Sequence, residues 1–219
     1  MQNIYEKFKE ILENGGEREV HNFLKKHKDI IIKSFNIAWN YYICVSEFQF
    51  GNEYRADFLI LSAHSGYWNA IFIELKPIDG RLYNKDGTQS KHLREAWKQI
   101  EDWEEWIRIN EPTLRQEFAK ILRKDKAPAI WPYPIPNYSK GYSSGAKEIA
   151  DMASNVHYFY HIVIGRRNKL TEEEQKRRAV SDIQWGGPTI ATYDRLLEMA
   201  RRNFQNDLKI KLEDLKYLS

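Results

Sequence analysis

The chain has 219 residues, which is enough for one domain with a sizeable core and short for two full domains. Its 42% hydrophobic and 30% charged residues argue against disorder. No apolar run approaches the roughly 18 residues that span a bilayer, and the N-terminus is too charged for a secretory signal, so we expect a cytoplasmic protein with no membrane partner. The single cysteine excludes a disulfide framework and a cysteine zinc site, while a net charge of +3 and a pI near 8.7 permit nucleic-acid binding without indicating it.

Helices followed by three strands are predicted in the first part of the chain. A helix begins near Glu17, behind two glycines, because the next side chains fall at helical spacing: Val20, Phe23, Leu24 and His27. Residues 1–16 are predicted to form a helical extension before it. Three runs rich in β-branched and aromatic residues then predict strands over Phe35 to Phe50, Tyr54 to Ser62 and Trp68 to Lys76.

The rest of the chain alternates helices with short strands. Ser90 follows the polar loop Pro77 to Gln89 and is placed to cap a long helix, whose apolar stripe is Leu93, Ala96, Trp97, Ile100 and Ile107. Further segments predict a helix over Glu111 to Lys126, a proline-rich loop over Ala127 to Gly145, a buried strand over His157 to Gly165, a charged helix around Thr171 to Ala179 and a strand over Pro188 to Ala191. Thr192 or Asp194 is predicted to cap the last helix. This order predicts an α/β fold with a mixed central β-sheet flanked by helices.

Two acidic side chains are expected to meet on the second and third predicted strands. Alternate residues of a strand share a face, so Glu74 and Lys76 project together. If Ser65 and Gly66 form a two-residue turn, the paired residues of the hairpin have numbers that sum to 131, and Asp57 faces Glu74. Directly opposed like charges destabilise a sheet unless something neutralises them, and a divalent cation would do so.

The residue types at this place suit Mg²⁺, with Mn²⁺ as the alternative ion. Mg²⁺ takes oxygen ligands in octahedral geometry and commonly uses one or two carboxylates, which Asp57 and Glu74 would supply together with the Leu75 carbonyl. A metal ion there would lower the pKa of a bound water and stabilise charge on a phosphate, and Lys76 would orient the attacking water. The competing interpretation is that Glu74 to Lys76 is an ordinary strand end with alternating charges.

Six segments carry a resemblance to a known family: Glu17 to Leu24, Arg55 to Phe58, Ile73 to Lys76, Gln99 to Trp103, Ile162 to Arg167 and Thr192 to Leu197. They resemble the PD-(D/E)xK nuclease superfamily and, within it, the Shedu anti-phage defence nuclease domain. The Asp, Glu-x-Lys and Gln set points to the superfamily, and the Gly-Arg-Arg and Thr-Tyr-Asp segments point to Shedu. The resemblance implies a restriction-endonuclease-like core and a magnesium-dependent DNA endonuclease.

The same resemblance assigns roles to helix-borne residues. It implies that Glu17 is the acid of the opening helix that helps to organise the metal or its waters, with Glu19 as the alternative and a solvated helix acid as the competing interpretation. Gln99 matches the family's helix-borne Gln. Trp103 stands where an aromatic residue, usually Tyr, accompanies it, and plain packing is the favoured role. The nuclease domain is expected over 17–200, with an insertion at about 110–155 and a C-terminal helical tail over 201–219.

Basic residues near these segments are candidates for phosphate contacts, with ordinary solvated surface as the alternative: Arg55, Arg81, Lys85, Lys91, Arg166 and Arg167. The histidines lack a zinc spacing and no nucleotide phosphate loop is present, so we expect DNA as the partner and no nucleotide cofactor. A homo-oligomer is expected because closed symmetric assemblies are common. The alternatives are a DNA-repair or structure-specific nuclease of the same fold, and a non-catalytic nucleic-acid-binding or assembly module.

Overall fold

The computed structural model describes residues 3–35, 41–64, 67–124, 141–181 and 187–202, and the chain divides into two compact units. The first unit comprises Met1–Phe35, Leu75–Arg94 and Ile162–Ser219. The second unit comprises Asn36–Glu74 and Glu95–His161. In the described ranges, no helix combines the length and the apolar composition that a bilayer crossing requires.

Three helices precede three strands, helices and strands are interspersed after them, and the sheet has five strands in the described part of the chain. The elements are α1 (Ile4–Asn14), α2 (Glu17–Lys26), α3 (Lys28–Phe35), β1 (Tyr41–Phe50), β2 (Tyr54–His64), β3 (Tyr67–Leu75), α4 (Lys91–Lys124), α5 (Gly141–Ala150), β4 (Asn155–Val163), α6 (Glu172–Ser181), β5 (Thr189–Ala191) and α7 over residues 193–202. Neighbouring strands are hydrogen-bonded in the order β1-β2-β3-β4-β5.

The sheet is mixed, as expected from the sequence. β2 pairs antiparallel with both β1 and β3. β3 and β4 run in the same direction, because the Tyr67 ring contacts His157 near the start of both strands and Phe72 stacks on Tyr160 farther along. The predicted mixed α/β fold with flanking helices is therefore confirmed, and it is consistent with a restriction-endonuclease-like core.

The N-terminal helices of the first unit pack through aromatic and aliphatic side chains. Val20, Phe23 and Leu24 are buried on α2, and the ring of Phe8 from α1 stacks on Phe23 with 4.9 Å between the ring centroids. The predicted helix start at Glu17 is confirmed. The predicted start of a strand at Phe35 was wrong, because Phe35 is the last residue of α3. The same helix buries three isoleucines, residues 30–32, although isoleucine prefers strands.

The second unit has an aromatic core between the sheet and α4. Phe72 of β3 contacts Phe50 of β1 and both Trp103 and Phe118 of α4. Trp103 is fully buried and stacks on Phe50 at 5.1 Å, so its packing role is confirmed. Aromatic pairs in such geometries stabilise a core beyond their buried area, and they fix α4 over the face of β3 that carries Phe72.

α4 joins two segments that the sequence predicted as separate helices. Ser90 caps its start, since the Ser90 hydroxyl accepts a hydrogen bond from the Leu93 amide at 3.2 Å. The helix continues through a kink at Asn110, where φ is −116° and ψ is 18°, just before Pro112. Proline lacks the amide that a helix interior uses, which explains the kink rather than a full break.

Two predictions in the following segment need correction. A loop was predicted over Ala127 to Gly145, and its residues 127–140 lie outside the described part of the chain. Its residues 141–145 are helical rather than a loop, because α5 begins at Gly141 and buries Ala146 and Ile149. A buried strand was predicted over His157 to Gly165, and it corresponds to β4. In β4 only the last two residues, Ile162 and Val163, are buried. Tertiary packing overrides the low helix propensity of glycine in α5.

A buried ionic network ties the second half of α4 to the chain around β4. Arg115, 5% exposed, donates from Nε and Nη2 to the Glu111 carboxylate at 3.0 and 2.7 Å, and its Nη1 donates to the carbonyls of Asp151 and Ser154 at 2.8 and 2.9 Å. The Tyr158 hydroxyl donates to the same carboxylate at 2.9 Å. Burial and then the Glu111 carboxylate raise the pKa of Tyr158. Residues 111–124 are thus an integral part of the second unit.

Candidate functional site

The β2–β3 hairpin has the register that the sequence predicted. Its paired residues run from Phe58 with Ile73 to His64 with Tyr67, and every pair of numbers sums to 131. Two residues separate His64 from Tyr67, and this predicted turn, Ser65 and Gly66, lies outside the described residues. The register is confirmed over all seven pairs that the structure shows.

The carboxylates of interest occupy the next step of this register. Asp57 precedes Phe58 in β2 and Glu74 follows Ile73 in β3, so the same pairing extended by one position sets Asp57 opposite Glu74. Opposed residues share one face of a sheet, with Cβ atoms about 5 Å apart. Alternation along β3 puts Glu74 on the face of Phe72, which is the face that α4 covers.

Glu74 is a buried acid, whereas Asp57 is half-buried. The Glu74 residue is 7% exposed. A carboxylate this far from water keeps its charge only where hydrogen-bond donors or a cation replace the lost hydration. The position therefore differs from that of an ordinary surface charge at a strand end.

Gln99 lies beside the strand that carries Asp57. Its Nε2 donates to the carbonyl oxygen of Arg55 at 3.4 Å, a long hydrogen bond from α4 to β2, two residues before Asp57. Gln99 is half-buried. Three of the predicted site residues, Asp57, Glu74 and Gln99, thus belong to the second unit and to adjoining elements within it.

Lys76 belongs to the first unit and follows the last residue of β3. Its main-chain amide donates to the Val163 carbonyl at 2.8 Å, which extends the hydrogen bonding of the strand beyond Leu75. Leu75 and Lys76 are both half-buried. Because Glu74, Leu75 and Lys76 are consecutive, the chain itself keeps the amine of Lys76 two residues from the Glu74 carboxylate.

The two candidate helix acids differ in their contacts. The Glu19 carboxylate accepts a hydrogen bond from the Gly16 amide at 2.7 Å and thereby caps the start of α2. Glu17 is exposed in the first turn of the same helix. Glu19 therefore has a structural role at the helix end, and Glu17 is the better candidate for a role with substrate or metal.

The basic candidates divide into exposed and engaged side chains. Arg55 is 60% exposed and lies 3.8 Å from Glu47, and Lys91 is exposed at the start of α4. Arg81 and Lys85 line a groove of about 950 Å³ in the first unit, together with two further basic and four acidic side chains. The charges of this groove balance, so it is not a strongly positive surface.

Arg166 is held within the first unit, and Arg167 is exposed. The Arg166 guanidinium, 12% exposed, donates to the Asp194 carboxylate from Nε and Nη2 at 3.2 and 3.1 Å and to the Leu12 carbonyl from Nη1 at 3.3 Å. The Arg167 amide donates to the other oxygen of Asp194. The Arg166 side chain therefore links α1 to the start of α7.

The predicted side-chain cap of the last helix was wrong. Thr192 stands just before α7, but its buried hydroxyl has no hydrogen-bond partner among the described residues, and Asp194 bonds Arg166 and Arg167 instead. The sequence reasoning also missed Tyr193, whose hydroxyl donates to the Lys76 carbonyl at 2.8 Å. A hydroxyl-bearing aromatic in a short segment that follows a strand was the available signal.

The candidate ligands at the hairpin are oxygen atoms, which Mg²⁺ prefers. Over the described ranges, no three His, Cys, Asp or Glu side chains come together as a metal cluster. If the hairpin register extends by one position, Asp57 and Glu74 supply two opposed carboxylates on neighbouring strands. This set matches Mg²⁺, which uses one or two carboxylates and leaves its other positions to water and phosphate.

A mixed α/β fold with a carboxylate pair on two neighbouring strands is consistent with the restriction-endonuclease-like class. The comparison with protein families is specific: the family model described as Shedu protein SduA, C-terminal, matches residues 14–197. The chain therefore belongs to the Shedu family. No curated protein matches the chain.

Proposed function

We propose that the protein is a metal-dependent DNA endonuclease that acts in anti-phage defence. The observation that carries the proposal is the hairpin register of seven pairs, which would oppose Asp57 and Glu74 if it extends by one position. Membership of the Shedu family supports the defence role. Two carboxylates, with a lysine two residues after one of them, suit a bound metal ion that promotes hydrolysis of a phosphodiester.

Each residue of the hairpin has a distinct part in this proposal. The carboxylates of Asp57 and Glu74 and the Leu75 carbonyl would hold Mg²⁺ or Mn²⁺. When bound, the ion supplies a water of lowered pKa and a positive charge beside the phosphate. Lys76 orients the attacking water through its ammonium group and neutralises charge that develops on the phosphate oxygens.

Helix-borne residues complete the proposed site. Gln99 is near β2 through its contact with the Arg55 carbonyl, and its amide is suited to hold a water or a phosphate oxygen. Only the family resemblance gives Glu17 a role in organising waters around the ion, because Glu17 belongs to the first unit and Asp57 and Glu74 belong to the second. Glu19 has no part in this proposal, because the Gly16 amide already engages its carboxylate.

Exposed basic side chains are proposed to hold the DNA backbone: Arg55, Arg81, Lys85, Lys91 and Arg167. Such contacts make DNA affinity fall steeply with salt. Arg166 is left out, because Asp194 and the Leu12 carbonyl already use its donors.

The experiment is a cleavage assay on plasmid and linear duplex DNA with purified protein in Mg²⁺. Glu74→Gln and Lys76→Met are expected to lower the cleavage rate by roughly a hundredfold or more, because each substitution removes a charge that the transition state needs. Glu53→Gln is the matched control, since it neutralises an exposed carboxylate in the same unit. It is expected to cut DNA like the wild type.

A binding measurement separates a nuclease from a non-catalytic module of the same fold. Calorimetric titration with Mg²⁺ is expected to show binding to the wild type and its loss in Asp57→Asn. Wild-type cleavage by Glu74→Gln, or equal Mg²⁺ titrations of wild type and Asp57→Asn, would contradict the proposed site. Nicked, branched and single-stranded substrates in the same assay distinguish a defence endonuclease from a structure-specific one.

A further inference from the structure

The main chain of Lys76 and Pro77 is held by hydrogen bonds from three separate segments. The Lys76 amide donates to the Val163 carbonyl at 2.8 Å, and the Lys76 carbonyl accepts from the Tyr193 hydroxyl at 2.8 Å. The Pro77 carbonyl accepts from the amides of Gly80 and Gly165, both at 3.0 Å. Proline has no amide to satisfy, so every main-chain polar group of these two residues is bonded.

The Tyr193 hydroxyl makes its hydrogen bond to the Lys76 carbonyl from a buried side chain. The residue is 1% exposed, and its own amide donates to the Gly165 carbonyl at 3.1 Å. A buried tyrosine must place its hydroxyl against a partner, and the partner here is the carbonyl directly after the Lys76 side chain. The contact spans 117 residues of sequence.

Gly165 completes this arrangement through its backbone conformation. Its φ is +65°, in the left-handed region that favours glycine, and a Cβ at this position would meet the Gly80 carbonyl oxygen. The close approach brings the Gly165 amide onto the Pro77 carbonyl and the Gly165 carbonyl onto the Tyr193 amide. Gly165 and Tyr193 therefore hold one another as well as the segment after β3.

We propose that Tyr193 is a positioning residue, whose buried hydroxyl fixes the Lys76 main chain and so limits the directions in which the Lys76 amine extends. This inference rests on the proposed nuclease function, in which Lys76 orients the attacking water. A lysine side chain has many rotamers, and a fixed main chain reduces the volume that its amine samples. A displacement of about 1 Å at a reacting group lowers rates by up to roughly a hundredfold.

The test compares two substitutions that each delete one tyrosine hydroxyl. Tyr193→Phe keeps the buried ring and removes the hydrogen bond to the Lys76 carbonyl. Tyr158→Phe is the matched control, because it removes a hydroxyl that donates at 2.9 Å to Glu111 in the second unit. Each variant is measured for thermal midpoint, for DNA dissociation constant in Ca²⁺, and for single-turnover cleavage rate in Mg²⁺.

A positioning role predicts a specific split between these measurements. Tyr193→Phe is expected to lower the single-turnover rate by at least roughly tenfold while its DNA dissociation constant stays within twofold of the wild type. Tyr158→Phe is expected to lower the thermal midpoint to a similar or greater extent and to keep the wild-type rate. A Tyr193→Phe rate within twofold of the wild type, or an equal loss of rate in Tyr158→Phe, would overturn the proposal.

Hydrogen exchange supplies a readout that needs no cleavage. The amides of residues 75–80 are expected to exchange at least severalfold faster in Tyr193→Phe than in the wild type, because local opening of this segment becomes easier. Unchanged exchange there would also overturn the proposal. If the wild type cuts no DNA, the nuclease function fails, and the exchange comparison then decides alone whether Tyr193 fixes the Lys76 main chain.

Discussion

The buried network around Arg115 permits a quantitative prediction about the second unit. Arg115→Met removes four hydrogen bonds and leaves the Glu111 carboxylate without its cation. Removing one partner of a buried ion pair costs about 3–5 kcal/mol of unfolding free energy. Glu111 is 29% exposed, so water replaces part of the lost interaction. We therefore expect a loss near the lower end of this range, about 3 kcal/mol.

Two comparison variants isolate the cause of this loss. Arg115→Met combined with Glu111→Gln leaves no buried charge and keeps an oxygen for the Tyr158 hydroxyl, so the pair is expected to be less destabilised than Arg115→Met alone. Arg108→Met is the exposed control on the same helix. Arg108 contacts Glu105 at 2.6 Å, but the two side chains are 70% and 59% exposed. Such surface pairs contribute about 0–1 kcal/mol.

Urea unfolding followed by tryptophan fluorescence is the assay for these variants. Six of the seven tryptophans belong to the second unit, so the signal reports mainly on the part of the chain that contains the network. The reasoning is refuted if Arg115→Met loses no more stability than Arg108→Met. It is also refuted if Glu111→Gln makes the Arg115→Met protein less stable.

Two further predictions concern backbone conformation and pH. Gly165→Ala is expected to lower the unfolding free energy by about 2–3 kcal/mol, because residue 165 has a positive φ and the added Cβ would meet the Gly80 carbonyl oxygen. Urea titration measures this loss, and an unfolding midpoint equal to that of the wild type would contradict it. Partial burial and then the charge of Glu101 raise the pKa of Glu104, so the folded state favours the neutral form of its carboxyl. Protonated Glu104 therefore stabilises the folded state at low pH, and this stabilisation is lost as the pH rises through the raised pKa. Glu104→Gln should therefore raise the thermal midpoint at pH 7 but not at about pH 4, and an equal effect at both pH values would contradict the assignment.

Local patterns in the sequence determined the part of the site that lies within one hairpin. A two-residue turn fixes which residues pair, and alternation then fixes which side chains share a face. Asp57 and Glu74 are 17 residues apart in one hairpin, so the register that leads toward them could be predicted without knowledge of the rest of the chain. The Ser90 cap and the buried stripe of α4 followed from similarly local rules.

The errors occurred where packing outweighed local preference. The strand predicted from Phe35 is the first case: aromatic residues favour strands, yet Phe35 is buried as the last residue of the helix α3. Residues 141–145 contain two glycines and two serines, which favour a loop, yet they begin α5. In both segments the apolar face that the helix buries, through residues such as Phe35 and Ile149, determines the outcome.

The contacts that hold Lys76 were beyond local rules for a different reason. The Tyr193 hydroxyl donates a hydrogen bond to the Lys76 carbonyl, and the Gly165 amide donates one to the Pro77 carbonyl. Both acceptors are main-chain atoms, which every residue has, so the sequence does not reveal them. In the proposed site the Lys76 amine acts on water and phosphate, and Tyr193 and Gly165 restrict its position through the main chain of this segment. The Gly-Arg-Arg and Thr-Tyr-Asp segments supply these main-chain contacts just after β3, and Arg166 and Asp194 within them form an ion pair.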